Sequence, residues 1–407
     1  PGLCEQRLVL VGFGNVGRSF ARLLQRKSGE LRESYGIVFR TVAIVTHRHG
    51  AVSTSADEGI SLDEALAVVD RPDGGGSLSE LVHGQPARDP RAWRAWKQLD
   101  TRGTCELIRD VGGTVLFETV PTDHSTGEPA VSFIREALHA KMHVISANKG
   151  PVVCGERDGL LQLAALNGVR YLHESAVMDG LPIFSLWSAC LPAAQLHKVE
   201  GVLNSTTSIV LSSMEERPGL SQAEAVCEAQ DAGIAEADPS LDLDGWDAAA
   251  KVAAIASVLM GGRRVSPEEV EREGIGHITP EIVAAAASRK LRYRLLCTAE
   301  LEGPMEVRCK VGPELLDSSH PFYGLTGSSS AVTFHTDVMA PFTLVQNGPT
   351  VGDTAYGLLR DWLEAILPDS FEDKAAVGAG TATSAAPAPG LKEEITTGEA
   401  TSERECL

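Results

Sequence analysis

Hydrophobic and polar positions follow two alternating periodicities along the first 150 residues. The run RLVLVGFG is apolar and ends in glycine, GRSFARLLQRK has apolar positions at helical spacing, and IVFRTVAIV is rich in β-branched residues. The same succession returns in GTVLFETV, EPAVSFIREALHAK and HVISAN. Strands that alternate with helices in this way predict a doubly wound parallel sheet with helices on its faces.

Beyond Pro151 the pattern changes to that of a mixed α/β domain. The segments SQAEAVCEAQ and SPEEVERE each begin with the Ser-x-x-Glu spacing of a helix cap and predict helices. Four later runs predict strands of a second, largely antiparallel sheet: LRYRLLCTAEL, MEVRCKVG, AVTFHTDV and APFTLVQN. We therefore expect an α/β protein with one domain at 1–150, a second at 151–322, and a segment at 323–366 that returns to the first domain.

Two regions lie outside this regular pattern. Residues 50–102 contain PDGGGS and the segment DPRAWRAWKQL, which we interpret as a helix at the periphery of the first sheet. Residues 372–407 are rich in Ala, Gly, Thr, Pro and Glu and have almost no large apolar side chains, so burial cannot offset their ordering entropy. We therefore predict a disordered tail.

Composition narrows the choice of partners and compartment. The formal net charge of −19 disfavours a phosphate backbone as a partner, and no apolar run approaches the roughly 18 residues that span a bilayer. Neither a nucleic acid nor a membrane is therefore expected. The eight cysteines are scattered singly, which is typical of free thiols in a cytoplasmic protein. Because the chain begins at Pro1, organellar import of a processed chain stays open as an alternative.

The segment GFGNVG has the spacing of a dinucleotide-binding loop between a predicted strand and a predicted helix. Gly12 permits a tight turn, Gly14 lets a pyrophosphate approach the backbone, and Gly17 lets the helix pack closely. The N-terminus of the helix offers amide groups and a positive dipole to the phosphates. This context favours a dinucleotide site over a glycine-rich turn without a ligand. The intervening residues of the loop are counted as cofactor-binding too: Phe13, Asn15 and Val16.

The end of the second predicted strand indicates which cofactor is bound. NAD-binding proteins often place an acidic residue there, but the sequence reads AIVTHRHG, with Arg48 between two histidines. A guanidinium suits a 2′-phosphate better than a bare hydroxyl. We therefore favour NADP over NAD, with a solvated loop arginine as the alternative interpretation of Arg48.

Two further segments carry candidate chemistry. In SANKGP, Lys149 follows a predicted strand at the edge where doubly wound sheets bind ligands, although most lysines are surface residues. In GIAEADPSLDLDGWDAAAK, Asp247 and Lys251 are four residues apart on one predicted helix face, and Glu236 and Asp242 precede them in a loop. The apolar continuation AAAKVAAIASVLM argues against a solvated acidic loop. A lysine at the edge of a buried region beside a carboxylate is a tunable acid or base.

Taken together, these residues resemble the homoserine dehydrogenase family. The resemblance runs in order from about residue 7 to residue 366 and covers nearly the whole chain except the tail. The GIAEADP element, with its spaced Asp, Gly, Asp, Ala and Lys, is highly specific. The matching elements are VGFGNVG, SANKGP, HESAVMDGLPI, EGVLNSTTSIVLSSME, AQDAGIAEADPSLDLDGWDAAAK, GLTGSSSAVTFHTD and GPTVGDTAYGLL.

The resemblance implies an oxidoreductase that interconverts L-homoserine and L-aspartate 4-semialdehyde with NAD(P), in threonine and methionine biosynthesis. It implies that Glu236 and Asp242 bind the ammonium and hydroxyl ends of the substrate, with Gly233 contributing backbone. Asp247 and Lys251 would complete the polar site. It also implies a homodimer formed through the second domain, which would then serve substrate binding and dimerisation.

Either of two lysines could transfer the proton of the alcohol. The resemblance places Lys149 beside the nicotinamide and Lys251 within the polar site. A lysine near an oxidised nicotinamide has its pKa lowered by the neighbouring positive charge, toward the operating range.

Thr122 and Gly348 are expected among the cofactor-binding residues.

The segment HESAVMDGLPI matches the part of the family that holds a monovalent cation. The resemblance implies that Glu174 and the backbone carbonyls of Val177, Asp179 and Leu181 bind an ion such as Na⁺. A structural hinge between the domains is the alternative interpretation of this segment.

Two other functions fit part of the pattern. A related NAD(P)-dependent dehydrogenase of another small amino acid is favoured only by NSTTS, in which Ser205 and Ser208 replace a glycine and an asparagine of the family's NGTTN. A cofactor-binding sensor without catalysis would need only the nucleotide half, and the polar residues of the second half argue against it. We expect neither an aspartokinase segment nor a regulatory domain, and hence no feedback by threonine through such a domain.

Overall fold

The computed structural model describes residues 3–83, 89, 91–236, 238–261, 264–303 and 306–367. The tail predicted at 372–407 lies outside these residues. Within the described ranges the chain forms one sheet of seven strands and one of six. The predicted fold class, an α/β chain with a parallel-sheet domain followed by a mixed α/β domain, is confirmed. No helix in these ranges is both long enough and apolar enough to cross a membrane.

The first sheet comprises β1 (Cys4–Val11), β2 (Ile37–Val45), β3 (Ala51–Thr54), β4 (Trp93–Trp96), β5 (Val115–Glu118), β6 (His143–Ser146) and β7 (Tyr171–Leu172). Their order across the sheet is β4-β3-β2-β1-β5-β6-β7. Four pairs are parallel: β2 with β1, β1 with β5, β5 with β6, and β6 with β7. At the β2 edge, β3 pairs antiparallel with β2, and β4 pairs antiparallel with β3. The strand order reverses between β1 and β5, which places a ligand-binding crevice at the carboxyl ends of these two strands.

Helices cover both faces of the first sheet because its central strands are apolar on both sides. Helices α1 and α2 pack on one face, and α4, α5 and α7 pack on the other. Their bounds are α1 (Asn15–Tyr35), α2 (Leu62–Val69), α3 (Glu80–His83), α4 (Thr101–Asp110), α5 (Ala130–His139), α6 (Gly150–Val153) and α7 (Arg157–Leu166).

The second sheet is largely antiparallel, as predicted, and has the order β13-β12-β8-β10-β11-β9. Its strands are β8 (Leu196–Val202), β9 (Glu271–Arg272), β10 (Arg292–Leu301), β11 (Val307–Leu316), β12 (Ser330–Thr336) and β13 (Phe342–Gln346). The later helices are α8 (Phe184–Cys190), α9 (Ser205–Glu216), α10 (Gln222–Asp231), α11 (Ser240–Leu243), α12 (Trp246–Leu259), α13 (Pro280–Ser288) and α14 (Val351–Ile366). The alanine-rich α12 is buried against β10 and β11.

The stretch 323–366 contributes to both sheets rather than to the first alone. Strands β12 and β13 lie at one end of the second sheet. Helix α14 packs against α1 on the first sheet, where Trp362 is fully buried and its ring meets Phe39 and Phe117 edge to face. The C-terminal helix therefore completes the core of the first half of the chain.

Two predicted helices are wrong. In DPRAWRAWKQL, residues Trp93–Trp96 form β4, because Trp93 is buried while Arg94 is exposed and the segment pairs with β3. In SPEEVERE the predicted cap is present, but only Pro267–Glu269 make a 3₁₀ turn. The chain then extends into β9, which pairs with β11. Tertiary pairing overrides the local helical signal at both places.

Candidate active site

The glycine loop lies at the switch point between β1 and β5. Gly12 has φ +96°, and a Cβ there would lie 2.5 Å from the carbonyl carbon of Thr119, the residue that follows β5. Thr119 Oγ1 donates a hydrogen bond of 2.9 Å to the Gly12 carbonyl. Gly17 packs against the Gly12 carbonyl, so both positions exclude a side chain. Gly14 instead faces open space and leaves the start of α1 accessible.

The other predicted cofactor residues lie on several connections: Arg48 follows β2, Thr122 follows β5, and Gly348 precedes α14. The Gly12 amide donates to the carbonyl of Val45, the last residue of β2, at 2.9 Å. Arg48 is exposed in the turn that follows β2. Within the glycine loop, Phe13 is buried, Val16 is partly buried and Asn15 is exposed. Thr122 is partly buried in the connection from β5 to α5, and Gly348 is exposed just before α14.

A buried hydrogen-bond network fixes the position of Lys149. Sequence reasoning did not identify this network. Glu118 ends β5 fully buried and accepts hydrogen bonds from Ser146 Oγ at 2.6 Å and from Asn148 Nδ2 at 3.3 Å. Asn148 Oδ1 accepts a 2.9 Å hydrogen bond from the amide of Gly150. Burial raises the pKa of Glu118, although these donors act in the opposite direction. The available signal was an acidic residue at the end of the otherwise apolar VLFE.

The structure brings the candidate lysines together on one carboxylate. Asp247 lies in the first turn of α12, with its Oδ1 3.0 Å from Lys149 Nζ and its Oδ2 3.0 Å from Lys251 Nζ. The side chains of these three residues are between 14% and 19% exposed. Asn204 Nδ2 donates to Asp247 at 3.0 Å and to Asp242 at 2.6 Å. Asp242 therefore joins the cluster through Asn204, a residue that sequence reasoning did not single out.

The opposite charges of this cluster stabilise one another in their ionised forms. Burial by itself raises the pKa of Asp247, but Lys149 and Lys251 outweigh burial and hold that pKa well below its usual range. Burial acts to lower the pKa of Lys251, but Asp247, Asp179 and Asp242 outweigh it and raise that pKa. The free protein therefore holds an ionised Asp247 beside a protonated Lys251.

The segment NSTTS forms the start of α9 and contributes Asn204 to the cluster. The side chain of Asn204 caps α9 by accepting a hydrogen bond from the backbone amide three residues later. Lys251 Nζ donates 2.8 Å to the carbonyl of Leu203. Ser205 is the first residue of α9 and Ser208 is buried one turn later. The two departures from the family pattern thus lie in the helical turn that presents Asn204.

Two predicted substrate residues lie apart from these contacts. Gly233 has φ +71° and is exposed in the turn after α10, and Glu236 is exposed three residues later. Gln230 Nε2 donates a 2.9 Å hydrogen bond to the Glu236 carbonyl. Among the described residues, no hydrogen bond or ion pair joins the Glu236 carboxylate to Lys149, Asp247 or Lys251.

His124 was not predicted and lies near the cluster in the connection from β5 to α5. Burial lowers its pKa, and the positive charge of Lys149 lowers it further. Its Nδ1 is buried without a hydrogen-bond partner among the described residues. Both effects favour the neutral form of the imidazole. No periodicity or motif in the sequence distinguishes this histidine.

Of the predicted cation ligands, the Glu174 carboxylate is already engaged by contacts within the chain. Glu174 lies in the 3₁₀ turn Glu174–Ala176 and accepts hydrogen bonds from the start of α8 and from Arg360. Asp179 has φ +56° and its side chain accepts a 2.8 Å hydrogen bond from Thr354 Oγ1 on α14. Val177 is buried, and Leu181 packs against the core of the second half. The Glu174 carboxylate therefore does not fit a metal ion.

Comparisons with known proteins identify the family of the chain. The family model described as homoserine dehydrogenase matches residues 182–363. An NAD(+)-dependent homoserine dehydrogenase from Pseudomonas canavaninivorans is 30% identical over 368 residues, which cover 88% of this chain and 96% of that protein.

Two solved structures extend the likeness to the fold. A structure described as a homoserine dehydrogenase from Archaeoglobus fulgidus superposes with a TM-score of 0.72 at 32% identity, covering 88% of this chain and 98% of that one. A hyperthermophilic archaeal homoserine dehydrogenase in complex with NADPH superposes with a TM-score of 0.68 at 26% identity, covering 89% and 98%. The chain belongs to the homoserine dehydrogenase family.

Proposed function

We propose that the protein catalyses the reversible oxidation of L-homoserine to L-aspartate 4-semialdehyde with a nicotinamide dinucleotide. The observation that carries this proposal is the cluster in which Asp247 pairs with Lys149 at the carboxyl edge of the first sheet and with Lys251 on α12. The cluster thus joins the half of the chain that holds the glycine loop to the half that holds Asp242. A dehydrogenase needs such a junction, because substrate and cofactor must meet there.

The acidic groups suit a substrate that carries both an ammonium group and a hydroxyl group. We assign Asp242, which Asn204 holds beside Asp247, and Glu236 to the two polar ends of the substrate. Gly233 is assigned to contribute backbone. Charge-assisted hydrogen bonds from both ends fix the orientation of the reacting carbon. In the turn at 233–236, Gly233 and Glu236 are exposed in the free protein.

We assign to Lys251 the transfer of the alcohol proton. Its raised pKa keeps it an ammonium in the free protein, so it can donate a proton to the carbonyl oxygen when the aldehyde is reduced. In the opposite direction it must first lose that proton and then accept the hydroxyl proton. The nicotinamide, when bound, supplies or accepts the hydride. Lys149 is the alternative proton carrier, and Asp247 orients both lysines.

NADP is the cofactor that we propose first, with NAD as the alternative. The support is Arg48, exposed after β2 where no acidic residue stands. The Pseudomonas relative is named as NAD(+)-dependent, whereas the archaeal structure contains NADPH. The proposed cofactor-binding residues are Gly12, Phe13, Gly14, Asn15, Val16, Gly17, Arg48, Thr122, Lys149 and Gly348.

The remaining assignments concern the whole protein. We propose that 1–150 together with α14 binds the cofactor, and that 151–322 binds the substrate and forms a homodimer. The described cysteines are free thiols, which supports a cytoplasmic location. The cation is left out of the proposal, because the Glu174 carboxylate is already hydrogen-bonded to amides and to Arg360.

The decisive experiment follows reduced cofactor at its absorbance maximum with L-homoserine, L-serine and L-threonine as alternative alcohols. We expect turnover with L-homoserine alone, and its kcat/KM should rise with pH because Lys251 must deprotonate. Lys251→Met should bind the cofactor normally and lose at least about 100-fold in kcat. Lys97→Met, at an exposed position, is the control and should keep full turnover. Unchanged turnover in Lys251→Met would refute the assigned role.

The cofactor assignment has its own test. Arg48→Ala should raise KM for NADPH about tenfold or more and leave KM for NADH nearly unchanged, because only NADPH carries the 2′-phosphate. Arg102→Ala, an exposed arginine on α4, is the control. Equal effects of Arg48→Ala on both cofactors would exclude contact with a 2′-phosphate.

A further inference from the structure

Glu174 is a buried carboxylate whose hydrogen-bonding capacity is used by donors of the chain itself. Its Oε1 accepts from the amides of Ile183 and Phe184, and its Oε2 accepts from the amide of Ser185 at 2.8 Å. Arg360 Nη2 lies 3.0 Å from the same Oε2. An ionised carboxylate offers about four lone-pair positions, so these four donors saturate it.

Arg360 serves a group of carboxylates rather than one. The same Nη2 lies 2.8 Å from Asp361 Oδ1 and 3.4 Å from Glu364 Oε2, and Nη1 donates to Ser185 Oγ. Asp361 Oδ2 also accepts a 2.9 Å hydrogen bond from the amide of Glu174. The side chains of Glu174 and Asp361 are only 2% and 1% exposed. Buried carboxylates this close are stabilised in their ionised form by a positive partner, and Arg360 supplies it, although burial still raises the pKa of Asp361 to about 7.

We propose that the guanidinium of Arg360 takes the place of a monovalent cation at Glu174, so that the enzyme needs neither Na⁺ nor K⁺. A metal ion at this carboxylate would have to displace backbone amides and lie beside a fixed positive charge, and both disfavour it. The planar guanidinium also fixes the position of the segment 174–185 relative to α14, because it contacts both Glu174 and Ser185.

This segment leads directly to the candidate active site. Thr354 on α14 donates a 2.8 Å hydrogen bond to Asp179. Burial acts to lower the pKa of Lys251, whereas Asp247 and Asp179 raise it, so Asp179 belongs to the electrostatic surroundings of the site. A side-chain cation that is covalently part of α14 holds the segment in place whatever the salt composition.

The test measures the melting temperature and kcat of the full chain in NaCl, KCl and choline chloride at equal ionic strength. We expect the same melting temperature and the same kcat in all three salts. A bound metal ion stabilises the native state, so a higher melting temperature in NaCl or KCl than in choline chloride would overturn the proposal. The turnover measurement rests on the proposed function, but the melting temperature decides the question even if no alcohol is oxidised.

A variant separates replacement of a cation from an ordinary ion pair. Arg360→Gln should have a lower melting temperature than the unaltered chain in choline chloride, and NaCl should restore part of the loss, because the unpaired carboxylates then attract the ion. Arg135→Gln, which removes a surface pair with Glu156, is the control and should show no preference among the salts. No gain from NaCl in Arg360→Gln would reduce Arg360 to a structural ion pair and refute the proposal. If Arg360→Gln does not fold, the salt series on the unaltered chain still decides.

Discussion

Gly12 and Gly14 are two residues apart but differ in what a side chain would meet. A Cβ on Gly12 would lie 2.5 Å from the carbonyl carbon of Thr119, and φ +96° is strained for any other residue, whereas Gly14 has open space within 4 Å. Gly12→Ala is therefore expected to destabilise the fold by about 2 kcal/mol or more. Gly14→Ala should keep its stability within about 0.5 kcal/mol and weaken cofactor binding, because its Cβ points to the approach of the pyrophosphate.

Urea unfolding without cofactor and titration of NADPH fluorescence measure these two effects separately. The pair of variants controls itself, since each is expected to change the quantity that the other leaves unaltered. A Gly14→Ala protein that unfolds much earlier than the unaltered chain would contradict the open position, and a fully stable Gly12→Ala would contradict the tight turn.

Chemistry that depends on local spacing could be predicted from single residues, and chemistry that depends on distant contacts could not. Asp247 and Lys251 pair because they are four residues apart on one helix. Lys149 was predicted at the crevice from its place after a strand, but its ion pair with Asp247 joins residues from different elements. His124 has no local signal, and Asn204 opens the segment NSTTS, but its hydrogen bonds to Asp242 and Asp247 arise only from folding.

At the scale of elements, strand β5 and strand β6 are joined at their ends by one buried acid. Glu118 accepts hydrogen bonds from Val120, Ser146 and Asn148. Glu118→Ala would leave these donors without their acceptor, at a cost of about 1–3 kcal/mol for each group that stays buried. It should also reduce kcat, because Asn148 then no longer fixes the residue that follows it, Lys149. Urea unfolding and the dehydrogenase assay check both expectations.

Glu118→Gln is the matched control, because it keeps a side-chain acceptor of the same shape. Burial raises the pKa of Glu118, so the folded state favours the protonated form. The folded state then binds more protons than the unfolded state above the ordinary value of 4.5, and the contribution of Glu118 to stability falls as the pH rises from there. Glu118→Gln should remove this part of the pH dependence. An identical pH dependence in both proteins would show that Glu118 is not perturbed.

Elements with strong local signals were predicted, and elements fixed by pairing partners were not. A few adjacent residues were enough to predict the capping box of α10 and the apolar strands β1, β5 and β6. Trp93–Trp96 becomes a strand because β3 offers an edge and the core accepts Trp93. That edge is formed by residues about 40 positions earlier, beyond the reach of a local pattern.

At the scale of the whole molecule, the end of the described chain stabilises its beginning. Trp362 on α14 is fully buried against Phe39 of β2 and Phe117 of β5, although more than 240 residues separate it from either strand. Trp362→Ala is expected to cost about 3–5 kcal/mol, because it removes a large side chain from the core and leaves a cavity. The first half contains the glycine loop, so cofactor affinity should fall as well.

Tyr356 offers a control on the same helix, since its side chain is 53% exposed. Tyr356→Ala should change stability by no more than about 0.5 kcal/mol, as surface substitutions usually do. Urea unfolding with and without NADPH distinguishes a local from a molecule-wide role for α14. If α14 completes the first core, NADPH should stabilise Trp362→Ala less than it stabilises Tyr356→Ala, because a ligand that binds the folded state more weakly stabilises it less. Equal losses in the two variants would mean that α14 lies on the first sheet without contributing to its core.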